Sequence, residues 1–293
     1  MKAARMARIR DIIWENFHQH LHDQVIAPLK QGMTNDSYYL ELDGRRYVLR
    51  LNGAGSEKLI DRQEEVATYQ TIASSGIAEP VIAISPTGGY KISELLSGVH
   101  NCRPQDMSEV QACMKKLRWF HELSLPYHKS FDILQKIAFY EDLWTRPSEH
   151  DDYAIVREAV FRLAPLRHLR SRPLCLCHID AVYDNFLLTE DGQVYLVDWE
   201  YAAGCDPLMD PAMFSIYAGY RERRALRLLD IYLGHPATRE ERYRYTSYMA
   251  AGGLLWSNWC EYKETFGEIF GSYAAMQYRY AKDCVRWAKK WEA

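Results

Sequence analysis

The stretch Cys177-His178-Ile179-Asp180-Ala181-Val182-Tyr183-Asp184-Asn185, with Val197-Asp198-Trp199-Glu200 shortly after it, decides the reading of this chain. The first piece is an H-x-D-x-x-x-x-N run that follows a short apolar strand, Pro173-Leu174-Cys175-Leu176-Cys177. Between the two pieces, Phe186-Leu187-Leu188 and Val194-Tyr195-Leu196-Val197 flank Glu190-Asp191-Gly192, a hairpin pattern whose second strand ends at Asp198. The Asp180 carboxylate can orient an acceptor hydroxyl, and the Asn185 amide and Asp198 carboxylate are oxygen donors that suit magnesium. Phosphoryl transfer from ATP requires that set of groups, since catalysis there is mostly positioning and charge neutralisation.

Composition bounds the rest. The 293 residues suffice for two lobes with a sizeable core. A net charge of −3 gives no basic footprint, which argues against nucleic acid as the main partner. With 26% charged and 48% apolar residues, the chain has the balance of an ordinary globular protein. No apolar run approaches the length of a membrane span, and no charged-then-apolar leader precedes a small-residue cleavage site, so a cytoplasmic location is expected. The seven cysteines, an odd count, read as reduced thiols. Cys175-x-Cys177-His178 reads as small apolar positions on a buried strand rather than as a metal motif.

Upstream, Arg5 to Leu21 carries Ile9, Ile12, Ile13, Trp14 and Phe17 at helical spacing, with His18-Gln19-His20-Leu21-His22 as a polar end. Val25-Ile26-Ala27, Tyr38-Tyr39-Leu40-Glu41-Leu42 and Tyr47-Val48-Leu49-Arg50-Leu51 read as strands, and Asp43-Gly44 is a hairpin signal. Gly32-Met33-Thr34-Asn35 is either a plain turn or a phosphate-covering loop, in which glycine permits close backbone approach and the polar side chains donate. Alternation puts Val48 and Arg50 on one face and Tyr47, Leu49 and Leu51 on the other. Arg50 is then either an arginine on an exposed strand face or the cation that holds nucleotide phosphates, with Val48 against the adenine.

A helix is expected from Ser56, as its N-cap, to Ser74. Its Glu65, preferred over Glu64, would pair the strand cation; the alternative is a solvated charged face. Pro80–Ile84 and Tyr90–Leu96 flank Pro86-Thr87-Gly88-Gly89 and complete five antiparallel strands. The connector Glu94-Leu95-Leu96 would offer backbone groups to adenine, and Ser97-Gly98 marks a switch to a helical region. The expected division is a nucleotide-binding lobe at residues 1–97 and a catalytic and acceptor-binding lobe at residues 98–293. In the second, helical patterns run over about residues 107–123, 131–144, 152–169, 239–260 and 272–291.

These stretches resemble the aminoglycoside phosphotransferase and choline kinase superfamily, in particular the bacterial choline/ethanolamine kinases. The likeness rests on Gly32-Met33-Thr34-Asn35, Tyr47-Val48-Leu49-Arg50-Leu51, Leu59-Ile60-Asp61-Arg62 with Glu65, and Gly89-Tyr90-Lys91-Ile92. It continues through His178-Ile179-Asp180 with Asn185 and, most specifically, Val197-Asp198-Trp199-Glu200-Tyr201-Ala202 with Asp206-Pro207 and Asp210. It implies a protein-kinase-like, two-lobe α+β fold with ATP in the cleft. By that resemblance Asp180 is the catalytic base, with His178 in the same loop, and Asn185 and Asp198 are the Mg2+ ligands. Arg50, paired with Glu65, holds the phosphates, and Asp206 and Asp210 give structural support, Asp210 by bracing the catalytic loop. The chain departs from the pattern at Ile179 and at Ala181-Val182-Tyr183-Asp184, where relatives often carry Leu, Pro or Gly. A protein kinase fits poorly, since D-F-G, A-P-E and a G-x-G-x-x-G loop are all missing.

The acceptor question moves to the far end, which is rich in aromatics: Trp256, Trp259, Tyr262, Phe266, Phe270, Tyr273, Tyr278 and Tyr280. Trp256 and Trp259 sit three apart on one helix face and match the W-x-x-W of choline kinases. They are either core packing or, with Tyr278, part of an aromatic cage for a quaternary ammonium. Glu200 is either a surface carboxylate or a negative wall of that cage. The expected acceptor is a small cationic alcohol, choline or ethanolamine. Alternatives are an aminoglycoside, thiamine, or a regulator that binds a nucleotide without catalysis; monomer and homodimer both remain open.

Overall fold

The Asp43-Gly44 signal is realised as a two-residue turn, with both residues left-handed (φ 50° and 73°), as a hairpin whose strands twist to the right demands. It joins β2, Asn35–Leu42, to β3, Arg45–Asn52, with Leu42 opposite Arg45. With β1 (Ile26–Gln31), β4 (Val81–Ser85) and β5 (Tyr90–Glu94) these form one antiparallel five-stranded sheet in the order β1-β2-β3-β5-β4. The structure is a computed structural model and describes residues 2–20, 26–31, 35–53, 59–167 and 172–292. The expected Gly32-Met33-Thr34 loop and the Ser56 cap lie outside the described residues. The chain divides into two compact units, Met1–Gly98 and Val99–Ala293.

In the first unit, α1 (Lys2–Phe17) stops short of the expected Leu21, where His18 turns left-handed (φ 54°). Its Ile9, Ile12 and Ile13 pack on Leu40, Tyr47, Leu49, Leu51 and Ile92, so the odd-numbered side chains of β3 form the core face. The even face carries Arg50, which is buried there against Glu65 of α2, Arg62–Ile72. That helix begins later than expected because Asp61 caps it, its carboxylate accepting from the amides of Gln63 (3.0 Å) and Glu64 (3.3 Å).

The second unit opens with β6 (Val99–Asn101), α3 (Met107–Glu122) and α4 (Ile133–Asp142). The expected helix over 152–169 is two pieces, α5 (Tyr153–Phe161) and α6 (Ala164–Arg167). Pro165 has no amide hydrogen to continue the ladder and breaks it. Then come β7 (Cys175–Cys177), β8 (Phe186–Thr189), β9 (Val194–Leu196) and β10 (Ala203–Cys205), pairing as β6-β8-β9 and β10-β7. Helices α7 (Met209–Tyr217), α8 (Glu222–Leu233), α9 (Arg239–Glu264) and α10 (Ser272–Lys289) complete the unit. Helix α9 starts at a capping box between Thr238 and Glu241 and is buried along most of its length. No helix among the described residues is long and apolar enough to cross a membrane.

Two stability predictions follow from these contacts. Burial raises the Glu65 carboxyl, but Arg50, Arg62 and Lys91 outweigh it and hold it below its ordinary 4.5. A depressed carboxyl contributes stability that is present above its unfolded value and is lost as pH falls through the folded one. Glu65→Gln should therefore cost about 3–5 kcal/mol at pH 7, and urea melts of the two proteins should converge as pH falls below 4.5. In the second unit, a Cβ on Gly253 would meet Gln277 O at 2.6 Å and Ala281 N at 2.7 Å, backbone atoms that cannot turn aside. Gly253→Ala should cost about 1–3 kcal/mol despite its better helix propensity, read as a lower Tm.

Candidate active site

The catalytic loop leaves β7 at His178 and is held from below. Asp210, in the first turn of α7 and fully buried, accepts from the amides of His178 (2.8 Å) and Ile179 (2.7 Å). Ile179 is left-handed at φ 71°, a costly conformation for a β-branched residue. Asp210 is itself fixed by His121 of α3, whose Nε2 lies 3.0 Å away while its Nδ1 meets the Tyr232 hydroxyl at 2.8 Å. Burial alone would strip the His121 proton, but the Asp210 carboxylate outweighs it and raises the imidazole above its ordinary value. Cys175 and Cys177 lie close enough to His121 to share an ion, yet both ring nitrogens are already bonded, so the thiols are core residues.

His178 itself is fully buried. Its Nε2 bonds the Val197 carbonyl at 2.9 Å and its ring packs edge-on against Trp199 at 4.6 Å. Expected among the catalytic residues, it ties the loop to Val197, the residue before Asp198. Trp199 is anchored by its indole N–H on Leu196 O at 2.6 Å, and Asp198 beside it is left-handed (φ 70°). Asp206 pairs with Arg244 (3.1 Å) and accepts from Leu208 N (3.0 Å), which seats the start of α7.

Asp180 and Asn185 meet directly. The Asn185 amide nitrogen donates to Asp180 O at 2.9 Å and reaches Asp180 Oδ2 at 3.4 Å, which leaves the amide oxygen as its donor atom for a cation. The Val197 amide bonds Asn185 O at 2.9 Å and so carries the Asp198 turn to the same place. Two oxygen ligands of this type fit magnesium, which keeps most of its shell for water and phosphate. Burial pushes the Asp180 carboxyl well up, and the charges of Asp198 and Glu200 push the same way against the Asn185 amide.

Glu200 is buried, not a surface carboxylate. Its charge acts on the phenols of Tyr201 and of Tyr140 of α4, and Tyr201 in turn meets the tryptophan pair. Trp256 lies edge-on to Tyr201 (5.9 Å, 84°) and to Trp259 (6.0 Å, 84°), and Trp259 packs on Phe270 at 5.1 Å. Burial raises the Tyr140 phenol, with Asp180 and Glu200 adding to it, so this tyrosine shares their space. Trp256 also donates to Met213 Sδ at 3.3 Å, and both tryptophans are buried, so the pair packs the core. Tyr278 does not join them. Its ring stacks on His150 (3.6 Å, 6°) and its hydroxyl bonds Asp152 at 2.7 Å, clamping α10 to the start of α5. Tyr273, five residues earlier, instead lies edge-on to Tyr217 at 5.9 Å, and burial raises its phenol.

In the first unit, Arg50 pairs with Glu65, whose other oxygen takes Arg62 at 2.8 Å. Arg62 also reaches the buried Asn35 side chain at 3.2 Å. Lys91 sits opposite Arg50 in register, buried, and pairs with Glu79 and Tyr69. Val48 is half-buried beside Arg50 on the strand. At the connector, Glu94 N bonds Pro80 O (2.9 Å) and Leu95 N bonds Arg46 O (3.0 Å), so these two amides are engaged within the first unit. Sequence reasoning gave no role to Arg62, Lys91, His121, Tyr140 or Tyr201; Arg62, Lys91 and Tyr201 stood inside quoted motifs, whereas His121 and Tyr140 did not.

Comparison with known proteins agrees on one family. Its model, described as choline/ethanolamine kinase, matches residues 26–253. Protein LicA of Haemophilus influenzae is 26% identical over 262 residues, 83% of this chain and 75% of that one. Choline kinase LicA from Streptococcus pneumoniae superposes with a TM-score of 0.84 at 26% identity, over 97% of this chain and 99% of that one. LicA in complex with AMP superposes at 0.79 with 25% identity and the same coverage. The chain belongs to the choline/ethanolamine kinase family, phosphotransferases that use a nucleotide and an alcohol acceptor on a protein-kinase-like, two-lobe α+β fold.

Proposed function

We propose that this chain transfers the γ-phosphoryl group of ATP to the hydroxyl of choline or ethanolamine. The observation that carries the reading is that Asp180 and Asn185 share their surroundings with Glu200 and a set of aromatic rings. A base and a metal ligand therefore adjoin a place suited to a small cation. Rings attract an ammonium without needing it to donate a hydrogen bond, and a nearby carboxylate adds charge. An aminoglycoside pocket would instead be lined mainly with carboxylates.

In this reading the residues of 1–97 serve the nucleotide, with Leu96 meeting the adenine. Glu65 fixes the Arg50 guanidinium, which meets the phosphates, and Arg62 and Lys91 add positive charge to the same face. The residues of 98–293 serve the chemistry. Asn185 and Asp198 would hold Mg2+, which when bound neutralises charge on the β- and γ-phosphates. Asp180 accepts the hydrogen bond of the acceptor hydroxyl, fixes its line of approach and takes its proton as the new P–O bond forms. A carboxyl raised by burial and by its acidic neighbours is a stronger base than an ordinary aspartate. The co-substrates assign the reaction to the cytoplasm, and the proposal takes all its residues from one chain, so monomer and homodimer serve equally.

Asp180→Asn and Asp198→Ala should each lower kcat about a thousandfold while the melting curve stays cooperative; near-normal turnover in either variant would overturn these roles. Trp259→Leu, which keeps apolar volume but removes the ring face, should raise the choline KM about tenfold and the ATP KM less than twofold. Equal effects on both, or a loss of stability alone, would mean that the tryptophan only packs the core.

A further inference from the structure

The departure at Tyr183-Asp184 places a second carboxylate in the catalytic loop, one residue before Asn185. Its surroundings are specific. The Tyr217 hydroxyl of α7 donates to Asp184 Oδ2 at 3.1 Å, and Asn101 of β6 donates to the Asp184 carbonyl. Tyr183 packs on Tyr217 at 5.0 Å, and Tyr217 lies edge-on to Tyr273 of α10 at 5.9 Å. Among the described residues no lysine, arginine or histidine pairs with Asp184. This ladder of three tyrosines and a carboxylate also adjoins the base: Asp180 acts on the phenols of both Tyr217 and Tyr273. The charge of Asp180 thus reaches Tyr140 and Tyr201, which also feel Glu200, and Tyr273 and Tyr217, the latter bonded to Asp184.

We propose that Asp184, oriented by Tyr217, is a specificity-determining residue that recognises the ammonium charge of the acceptor. The inference rests on the reading of Asp180 as the base of an amino-alcohol kinase. A magnesium ion would offset the charge of Asp198 and of the phosphates, whereas the Asp184 carboxylate, with Tyr217 on one oxygen, keeps its charge for a cationic acceptor. A quaternary ammonium has no N–H to donate, so a fixed carboxylate and ring faces are the means of binding it. The Tyr217 bond supplies the fixing, because it occupies one carboxylate oxygen and sets the direction of the other.

The test compares choline with its neutral carbon isostere, 3,3-dimethylbutan-1-ol, in the full chain with magnesium and ATP. Asp184→Asn keeps an oxygen for Tyr217 and loses only the charge. It should lower kcat/KM for choline about tenfold while that for the neutral alcohol and the KM for ATP each stay within about twofold. A parallel fall for both alcohols, an unchanged choline value, or an equal rise in the ATP KM would overturn the assignment. Should Asp184→Asn not fold, Tyr217→Phe decides: a loss of preference for choline over the isostere of about threefold supports the proposal, and no change overturns it. Failure of the underlying kinase reading shows separately, as a wild-type protein that phosphorylates neither alcohol.

Discussion

Two backbone amides aimed at one buried carboxylate hold the catalytic loop in a shape its residues would not adopt alone. A β-branched residue in the left-handed region costs about 1–3 kcal/mol, and Ile179 stands there at φ 71°. Asp210 offsets this with two charge-assisted bonds to His178 and Ile179, each worth about 1.5–3 kcal/mol. Asp210 is fully buried, and His121 supplies a third polar partner to its carboxylate. Asp180 follows directly on Ile179, so the strained residue sets the direction in which the Asp180 side chain leaves the loop.

The first unit solves a different electrostatic problem with the same economy. Its buried sheet face carries three cations, Arg50, Arg62 and Lys91, against two carboxylates, Glu65 and Glu79. Asn35 and Tyr69 add hydrogen bonds to these ion pairs. Cations fixed in this way before any ligand arrives need little rearrangement to meet an anion. The strand alternation that buries Leu49 and Leu51 under α1 is what turns Arg50 to that face.

Much of this was legible in the sequence because it rests on local patterns. Alternation placed Arg50 opposite Leu49, the Asp-Gly pair formed the hairpin, and Glu65 meets Arg50 as helix spacing from Asp61 allows. What stayed hidden depends on long-range geometry. Asp61 and Ser56 are both good caps, and only the fold decides that the helix begins after Asp61. His121 lies on an amphipathic helix with no local mark of its bond to Asp210. Tyr273 and Tyr278 are both aromatic positions of α10, but five residues turn a helix through about 140°, so one adjoins Asp180 and the other stacks on His150. Tyr140 comes from a separate helix and carried no spacing signal at all.

The family, the oxygen ligands and the aromatic surroundings of Asp180 converge on a single claim: ATP donates its γ-phosphoryl group to a small cationic alcohol. The most direct measurement is 31P NMR of the wild-type protein with ATP, magnesium and choline or ethanolamine. The expected result is one phosphomonoester resonance growing in step with ADP, its attachment to the alcohol oxygen shown by proton coupling. ADP accompanied only by inorganic phosphate, or ATP left unconsumed with both alcohols, would contradict the account.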